Sequence, residues 1–302
     1  TVAAAGESGS RRWPRGWLLG ASRNGTGYAS GNYGWAWDRL RGKNLTLNFK
    51  GTQSEYDESP YGYFNMTTYM DQYVIQDTNG SWGGSTGAPM LHHQLRRAPG
   101  VHDQICHNGS GANKAEPHTL LGVPPELWLT KRRDSTGSWV FGSSLLAATE
   151  KIVCPSPDGR VTDTTAWNST YPTATQISFG TLADVNASGG TYVTYMWSTK
   201  AGISKVGSYT GNGSTQNVDC GFSGGARFIL IKRTDSTGDW YVWDSVRGIV
   251  AANDPHISLN TTAAEVTTDD SVDPYAAGFA VNQVAATNIN VNGGTYIYLA
   301  IS

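Results

Sequence analysis

Side chains that could do chemistry are few in this chain and mostly stand apart. The six histidines are His92, His93, His102, His107, His118 and His256, and four of them, His92, His93, His102 and His107, fall within one short stretch. Imidazoles that close could ligate a metal, but none of the four recurs in the matching place later in the chain, so a surface or interface role is expected. Asp134-Ser135-Thr136-Gly137 resembles the Asp-Thr-Gly of aspartic proteases. The extra residue spoils that match, and the segment sits where a hairpin turn is needed. Asp269, Asp270 and Asp273 could face a hard cation, but they lack the Gly and the spaced ligands of a calcium loop, so they read as a solvated acidic loop. Cys106, Cys154 and Cys220 cannot all pair and share no metal-ligand spacing. They are expected to be free thiols packed as small hydrophobes. The phosphate-loop, dinucleotide, His-Glu-x-x-His and Gly-x-Ser-x-Gly patterns are all missing. No carboxylate pair is nominated for glycoside hydrolysis. The expectation is a chain that is no enzyme, with no catalytic residue, no metal and no cofactor.

Aromatic side chains offer a different chemistry, stacking on sugar rings. Trp35 with Trp37, Trp139 with Phe141, and Tyr241 with Trp243 are pairs at spacing two, which share a strand face. Their recurrence favours packing over recognition. Trp82, in Asn79-Gly80-Ser81-Trp82-Gly83-Gly84, is the one candidate for an exposed ligand contact. Asn-x-Ser/Thr triplets at Asn24, Asn44, Asn65, Asn79, Asn108, Asn168, Asn186, Asn212 and Asn260 read as turns of an Asn-, Ser- and Thr-rich chain rather than glycan acceptors.

The elements that carry these residues are organised by an internal repeat. Lys131-Arg132-Arg133-Asp134-Ser135-Thr136-Gly137-Ser138-Trp139 returns as Lys232-Arg233-Thr234-Asp235-Ser236-Thr237-Gly238-Asp239-Trp240. Asn186-Ala187-Ser188-Gly189-Gly190-Thr191-Tyr192-Val193 returns as Asn290-Val291-Asn292-Gly293-Gly294-Thr295-Tyr296-Ile297, and Asn108-Gly109-Ser110 as Asn212-Gly213-Ser214. A divergent first copy is signalled by Trp37-Asp38-Arg39-Leu40-Arg41-Gly42 against Trp243-Asp244-Ser245-Val246-Arg247-Gly248, by Leu45-Thr46-Leu47-Asn48 against Ile257-Ser258-Leu259-Asn260, and by Glu55 against Glu265. Arg96 to Gly100 and Thr199 to Gly202 read as short junctions. The expected organisation is an arm over 1–12 and β-sandwich repeats over 13–98, 99–201 and 202–302.

Within a repeat, Phe228 to Ile231 is a continuous apolar run that suits a strand buried on both faces. Asp235-Ser236-Thr237-Gly238 is expected to turn it, with Asp235 bonding its own backbone and Gly238 at positive φ. Tyr296, Tyr298 and Ala300 alternate with Ile297, Leu299 and Ile301, aromatic on one face and aliphatic on the other.

Composition agrees. Of 302 residues only 15% are charged, while Gly contributes 37, Trp 11 and Tyr 15, which excludes long helices, disorder and collagen and fits an all-β chain. The net charge of −2 gives no field that favours nucleic acid, and no apolar run is long enough for a membrane helix. Thr1 to Gly20 shows no signal-peptide core, and a start without Met is read as a processed or partial product.

The second and third repeats resemble tandem domains of tail-associated proteins of tailed bacteriophages. The resemblance rests on Arg96-Arg97-Ala98-Pro99-Gly100, Gly122-Val123-Pro124-Pro125-Glu126-Leu127, both Lys-Arg-x-Asp-Ser-Thr-Gly-x-Trp segments, Lys205 to Gly213, and both Gly-Gly-Thr-Tyr strands. It spans about 95–302, and 13–94 more weakly. It implies lectin-like jelly-roll sandwiches in tandem and a structural role on the virion surface, after assembly in the host cytoplasm. The expected place is a tail fibre, spike or tail-tip adhesin, with a capsid decoration protein or a carbohydrate-binding module as alternatives. Expected partners are further copies of the chain as a homotrimer, other virion proteins and a host surface glycan, without nucleic acid or membrane insertion.

Overall fold

The computed structural model describes residues 11–12, 16–22, 34–38, 40–42, 45–57, 59, 64–66, 72–75 and 90–302. The fold is all-β and sandwich-like. Among the described residues the α-helix is a single turn, Ala183–Asn186, and no helix is long and apolar enough to cross a membrane.

Three large antiparallel sheets share the order of their inner strands, and the second and third add an outer strand that the first lacks among the described residues. The second runs Val161–Thr162, Glu150–Cys154, Trp139–Ser143, Leu127–Arg132, Thr191–Trp197, His102–Asn108. The third follows the same path through His256–Ser258, Trp240–Asp244, Phe228–Arg233, Thr295–Ile301 and Ser204–Thr210. The first is built from Tyr56–Asp57, Leu45–Asn48, Gly34–Asp38, Gly16–Ser22 and Met90–Arg96. Each large sheet has a small companion, such as Gln216–Asp219, Gly278–Val281 and Val272–Tyr275 for the third. Lys114–Pro117 with Gln176–Phe179 does the same for the second.

The alternation along each strand decides which core a side chain enters. Tyr296, Tyr298 and Ala300 face the small sheet, packing with Val218, Phe279 and Val281. Ile297 and Leu299 face the other way. Ile229 and Ile231 likewise oppose Phe228, so that strand is buried on both faces, as its apolar run implies.

The opposite faces do not meet solvent. Ala36, Leu47 and Phe49 of the first sheet, Leu127, Trp139, Phe141 and Tyr195 of the second, and Phe228, Trp240, Val242 and Leu299 of the third form one shared core. The large sheets therefore close around a common axis instead of stringing along a line.

Register corrects several expectations. Thr191 pairs with Asn108 and Thr295 with Thr210, so Asn108 is equivalent to Thr210 and not to Asn212. Ala36 pairs with Leu47 and Val242 with Ile257, so Leu47, not Leu45, matches Ile257. Both slips are two residues, the one error that leaves every side chain on its proper face. The spacing-two aromatic pairs are not equivalent either. Trp139 and Phe141 enter the shared core, whereas Trp243 packs towards the small sheet with Tyr241 against it. Across the strand pair, Trp128 stands opposite Gly142, and Ile229 opposite Trp243. A Cβ on Gly142 would lie 2.4 Å from the Trp128 ring. The large ring has changed strands between the copies while the site keeps one ring, which close packing requires.

The Asp-Ser-Thr-Gly turns also differ from expectation. Neither Gly137 nor Gly238 has a positive φ. Asp134 and Asp235 do more than bond within their own hairpin, where they accept from Arg132 and Arg233. Each carboxylate accepts from the start of the last strand, Thr191 N at 2.7 Å and Thr295 N at 2.8 Å. Positive φ occurs instead at the junction glycines Gly100 and Gly202, +72° and +71°.

Candidate functional site

The residues that looked reactive gather where the sheets meet. In each hairpin the repeated lysine points inward and is buried, Lys131 and Lys232 alike. Lys131 Nζ donates to Gly137 O at 2.5 Å and to Thr52 O of the first sheet's region at 3.1 Å. Lys232 Nζ donates to Gly238 O at 2.6 Å and to Pro157 O of the preceding repeat at 2.7 Å. Burial lowers both ammonium groups to about 8. The glycines serve close packing within their own hairpins rather than φ, since a Cβ would meet Arg132 Cβ at 3.3 Å and Arg233 Cβ at 3.0 Å. Gly137 N donates to Thr52 O at 2.8 Å and Gly238 N to Pro157 O at 2.9 Å. The tryptophans complete the seam, with Trp139 Nε1 on Asn48 O at 2.7 Å and Trp240 Nε1 on Ser156 O at 3.2 Å. Glu55 N donates to Arg133 O, and Arg160 N to Thr234 O, both at 2.8 Å. The Lys-x-x-x-x-x-Gly-x-Trp spacing is thus a docking device, and each copy docks on a segment of the repeat before it, residues 48–52 for the first and 156–157 for the second.

A second set gathers where Asp38 and Asp244 finish their strands. Asp38 is buried against Arg41, whose guanidinium also reaches Glu55 at 2.9 Å. Arg133 of the second sheet binds the same Glu55 at 2.9 Å, and Tyr195 Oη donates to Asp38 at 2.7 Å. Burial pushes the Asp38 carboxyl up, but Arg41 and Tyr195 outweigh it and hold it below its ordinary value. The third sheet repeats the arrangement with Asp244, Arg247 and Glu265. Here the neighbour's contribution is His93, from the first sheet, 3.3 Å from Asp244 and edge-on to Phe228 at 4.9 Å. Contacts therefore run from second to first sheet and from first to third, as well as from second to third, and the ring of sheets is closed.

The remaining candidates resolve individually. His102 and His107 are buried, and burial lowers both imidazoles to about 4. His102 contacts Met196 O at 3.0 Å and lies over Trp197, while His107 stacks on Phe179. They are core histidines, not surface ones. His93 alone of the described cluster has the interface role, and His118 is buried with Nε2 2.9 Å from Thr173 O. Cys154 and Cys220 are buried free thiols, and Cys106 is an exposed one. Asp270 and Asp273 both accept from Asn282 Nδ2, at 3.0 and 2.8 Å. Asn186 is buried, its amide held by Ala112 O and Gly180 O. Trp82 and the side chains of His92, Trp35 and Trp37 lie outside the described residues. Among the described residues no group of three His, Cys, Asp or Glu is placed to hold a metal ion.

One site escaped the sequence reading. Asp254 is fully buried, and burial raises its carboxyl to about 7. It accepts from Ser271 N at 2.6 Å, beside His256, which lies 3.9 Å from Asp269. The signal was available: eleven residues separate Asp244 from His256 but only six separate Ser143 from Glu150. Longer loops in one copy mark what that copy does alone.

The family called "Domain of unknown function (DUF7483)" matches residues 102–302, two thirds of the chain, so the protein belongs to that family. No curated protein and no solved structure matches it.

Proposed function

We propose that this member of a family without an assigned activity is a structural protein of a bacteriophage virion. Its repeats are lectin-like jelly-roll sandwiches in tandem, and it forms a compact knob at the tail tip that contacts the host surface. The observation that carries the reading is where the repeated polar residues go. Lys131, Lys232, Trp139 and Trp240 are all consumed in holding sheet to sheet, and Arg41 and Arg247 in fixing the carboxylates that a neighbouring sheet meets. Such a chain is built to be rigid rather than reactive. The closed ring favours a knob over a fibre shaft, whose units would touch only their sequence neighbours. One chain then supplies the three-fold arrangement that a trimer would otherwise provide.

The same near-three-fold arrangement also fits a three-fold position on an icosahedral shell, so capsid decoration is the second reading. Gold-labelled antibody against the chain, imaged on intact particles, separates the two. Label at the distal tail is the expected result, and label on the head replaces it with decoration. Particles that carry no label at all would end the virion assignment.

A further inference from the structure

Among the described residues, one edge of a large sheet lacks the partner that its two counterparts have. In the second repeat His102–Asn108 runs antiparallel to Thr191–Trp197, and in the third Ser204–Thr210 runs antiparallel to Thr295–Ile301. The matching strand of the first sheet is Met90–Arg96, which pairs with Gly16–Ser22 on one side. Among the described residues nothing pairs with its other side. An edge of this length offers a row of unpaired N–H and C=O groups, a template for one more strand.

Chain order indicates which segment fits. In both complete repeats the outer strand comes directly before the small-sheet strand, with residues 109–113 leading into Lys114–Pro117 and 211–215 into Gln216–Asp219. The first repeat's small-sheet strand is Arg11–Arg12, paired with Tyr73 and Gln72. Its outer strand therefore belongs just ahead of Arg11. The two known connections share a glycine of positive φ, Gly111 at +72° and Gly213 at +75°. Gly9 takes that place in the sequence, with Gly9-Ser10-Arg11-Arg12 against Gly213-Ser214-Thr215-Gln216. Without gaps, residues 1–6 then match 205–210, and Val2 matches Val206, a member of the shared core.

We infer that residues 1–6 of the same chain, which lie outside the described residues, pair antiparallel with the open side of Met90–Arg96 and complete the first sheet. This does not rest on the virion reading. The two complete repeats also fix the register. Val206 stands opposite Leu299, and Gln104 opposite Tyr195. His93 holds the same place as Leu299 and Tyr195, because Leu19, Leu230 and Leu129 are their equivalent partners on the next strand. Val2 therefore falls opposite His93, and Ala4 opposite Leu91. Thr1-Val2-Ala3-Ala4-Ala5 carries no Pro and no charged side chain, so every residue can join the ladder.

Paired cysteines test this in the full chain. Ala4 falls where the second repeat has Cys106 and the third Ser208, so Cys106→Ser supplies a background without the exposed thiol. In it, Ala4→Cys with Leu91→Cys should form a disulfide within one chain under mild oxidation, because directly opposed residues bring their Cβ atoms to about 4.5–5.5 Å. Ala5→Cys with Leu91→Cys, one residue out of register and on the other face, should not. A disulfide that joins two chains makes a second copy the occupant and overturns the inference. So does equal cross-linking of both pairs, or a folded Ala4→Cys, Leu91→Cys chain with no cross-link. Hydrogen exchange on the unaltered chain needs no variant. Amides of residues 1–6 should exchange at least about tenfold more slowly than in the free peptide of that sequence. Exchange at the free-peptide rate overturns the inference.

Discussion

Two seams of the ring are charged at their ends and the third is not. Asp38 with Arg41 and Tyr195 closes the first against the second sheet, and Asp244 with Arg247 and His93 closes the third against the first. In the same register the second sheet has Ser143 and Leu146, and the third sheet's strand brings Leu299. Acid, base and neighbour have changed together, so no seam is left with an unpaired charge. Ser143 keeps only the turn, its hydroxyl donating to Glu126 O at 2.7 Å. Leu146 and Leu299 join the shared core. The lesson is that a buried ion cluster and an apolar cluster are alternative fillings of one site, while mixtures are costly.

The largest expected effect tests that claim. Arg41→Leu alone leaves Asp38 buried without its counter-charge, although Glu55 keeps Arg133, and should cost about 3–5 kcal/mol in denaturant unfolding. The triple change Asp38→Ser, Arg41→Leu and Tyr195→Leu imitates the apolar seam, and should cost less than half of that. A triple variant as unstable as the single one would break the comparison.

Protonation gives the next effect. His102 and His107 sit at about 4 in the folded chain against an ordinary value of about 6.5. Their contribution is complete above the ordinary value and is lost as pH falls towards 4, at about 1.4 kcal/mol per pH unit for each. Asp254, held at about 7, acts in the opposite sense, since its contribution is lost as pH rises from its ordinary value of 3.8 to 7. Stability should rise from pH 4 to 6.5 with a net slope of about one proton, and Asp254→Asn should steepen that slope. An unchanged slope in the variant would remove Asp254 from the account.

Smaller effects distinguish the two docking hairpins. Lys131→Met leaves Gly137 O without its donor and should cost about 1–3 kcal/mol, with Lys232→Met similar because its two acceptors are equivalent. A difference of more than twofold between them would show that the seams are not alike. Gly238→Val should cost about 1 kcal/mol through crowding, because a Cβ there meets Arg233 Cβ at 3.0 Å. A loss several times larger in thermal unfolding would restore a positive-φ role for that glycine.

Much of this was legible in the chain. The repeat of Lys131 to Trp139 at Lys232 to Trp240, and the alternation of Tyr296, Tyr298 and Ala300 with Ile297 and Leu299, specify strands, their faces and the existence of matching units. The match of Glu55 with Glu265 located the first copy's weakest part, because both carboxylates hold an equivalent arginine. What the sequence alone fixed is periodic and local: a side-chain period of two, a turn, a strand pair.

Tertiary structure decided the rest. A two-residue slip keeps every face, so only hydrogen-bonded register separates Leu45 from Leu47 as the partner of Ile257's position. Lys131 looks like a surface charge until Thr52, 79 residues away, supplies its acceptor. Asp254 becomes a retained acid because its burial outweighs the hydrogen bond from Ser271 N, which favours the charged form. Burial depends on what another segment brings to the same place, and one strand's residues cannot state that by themselves.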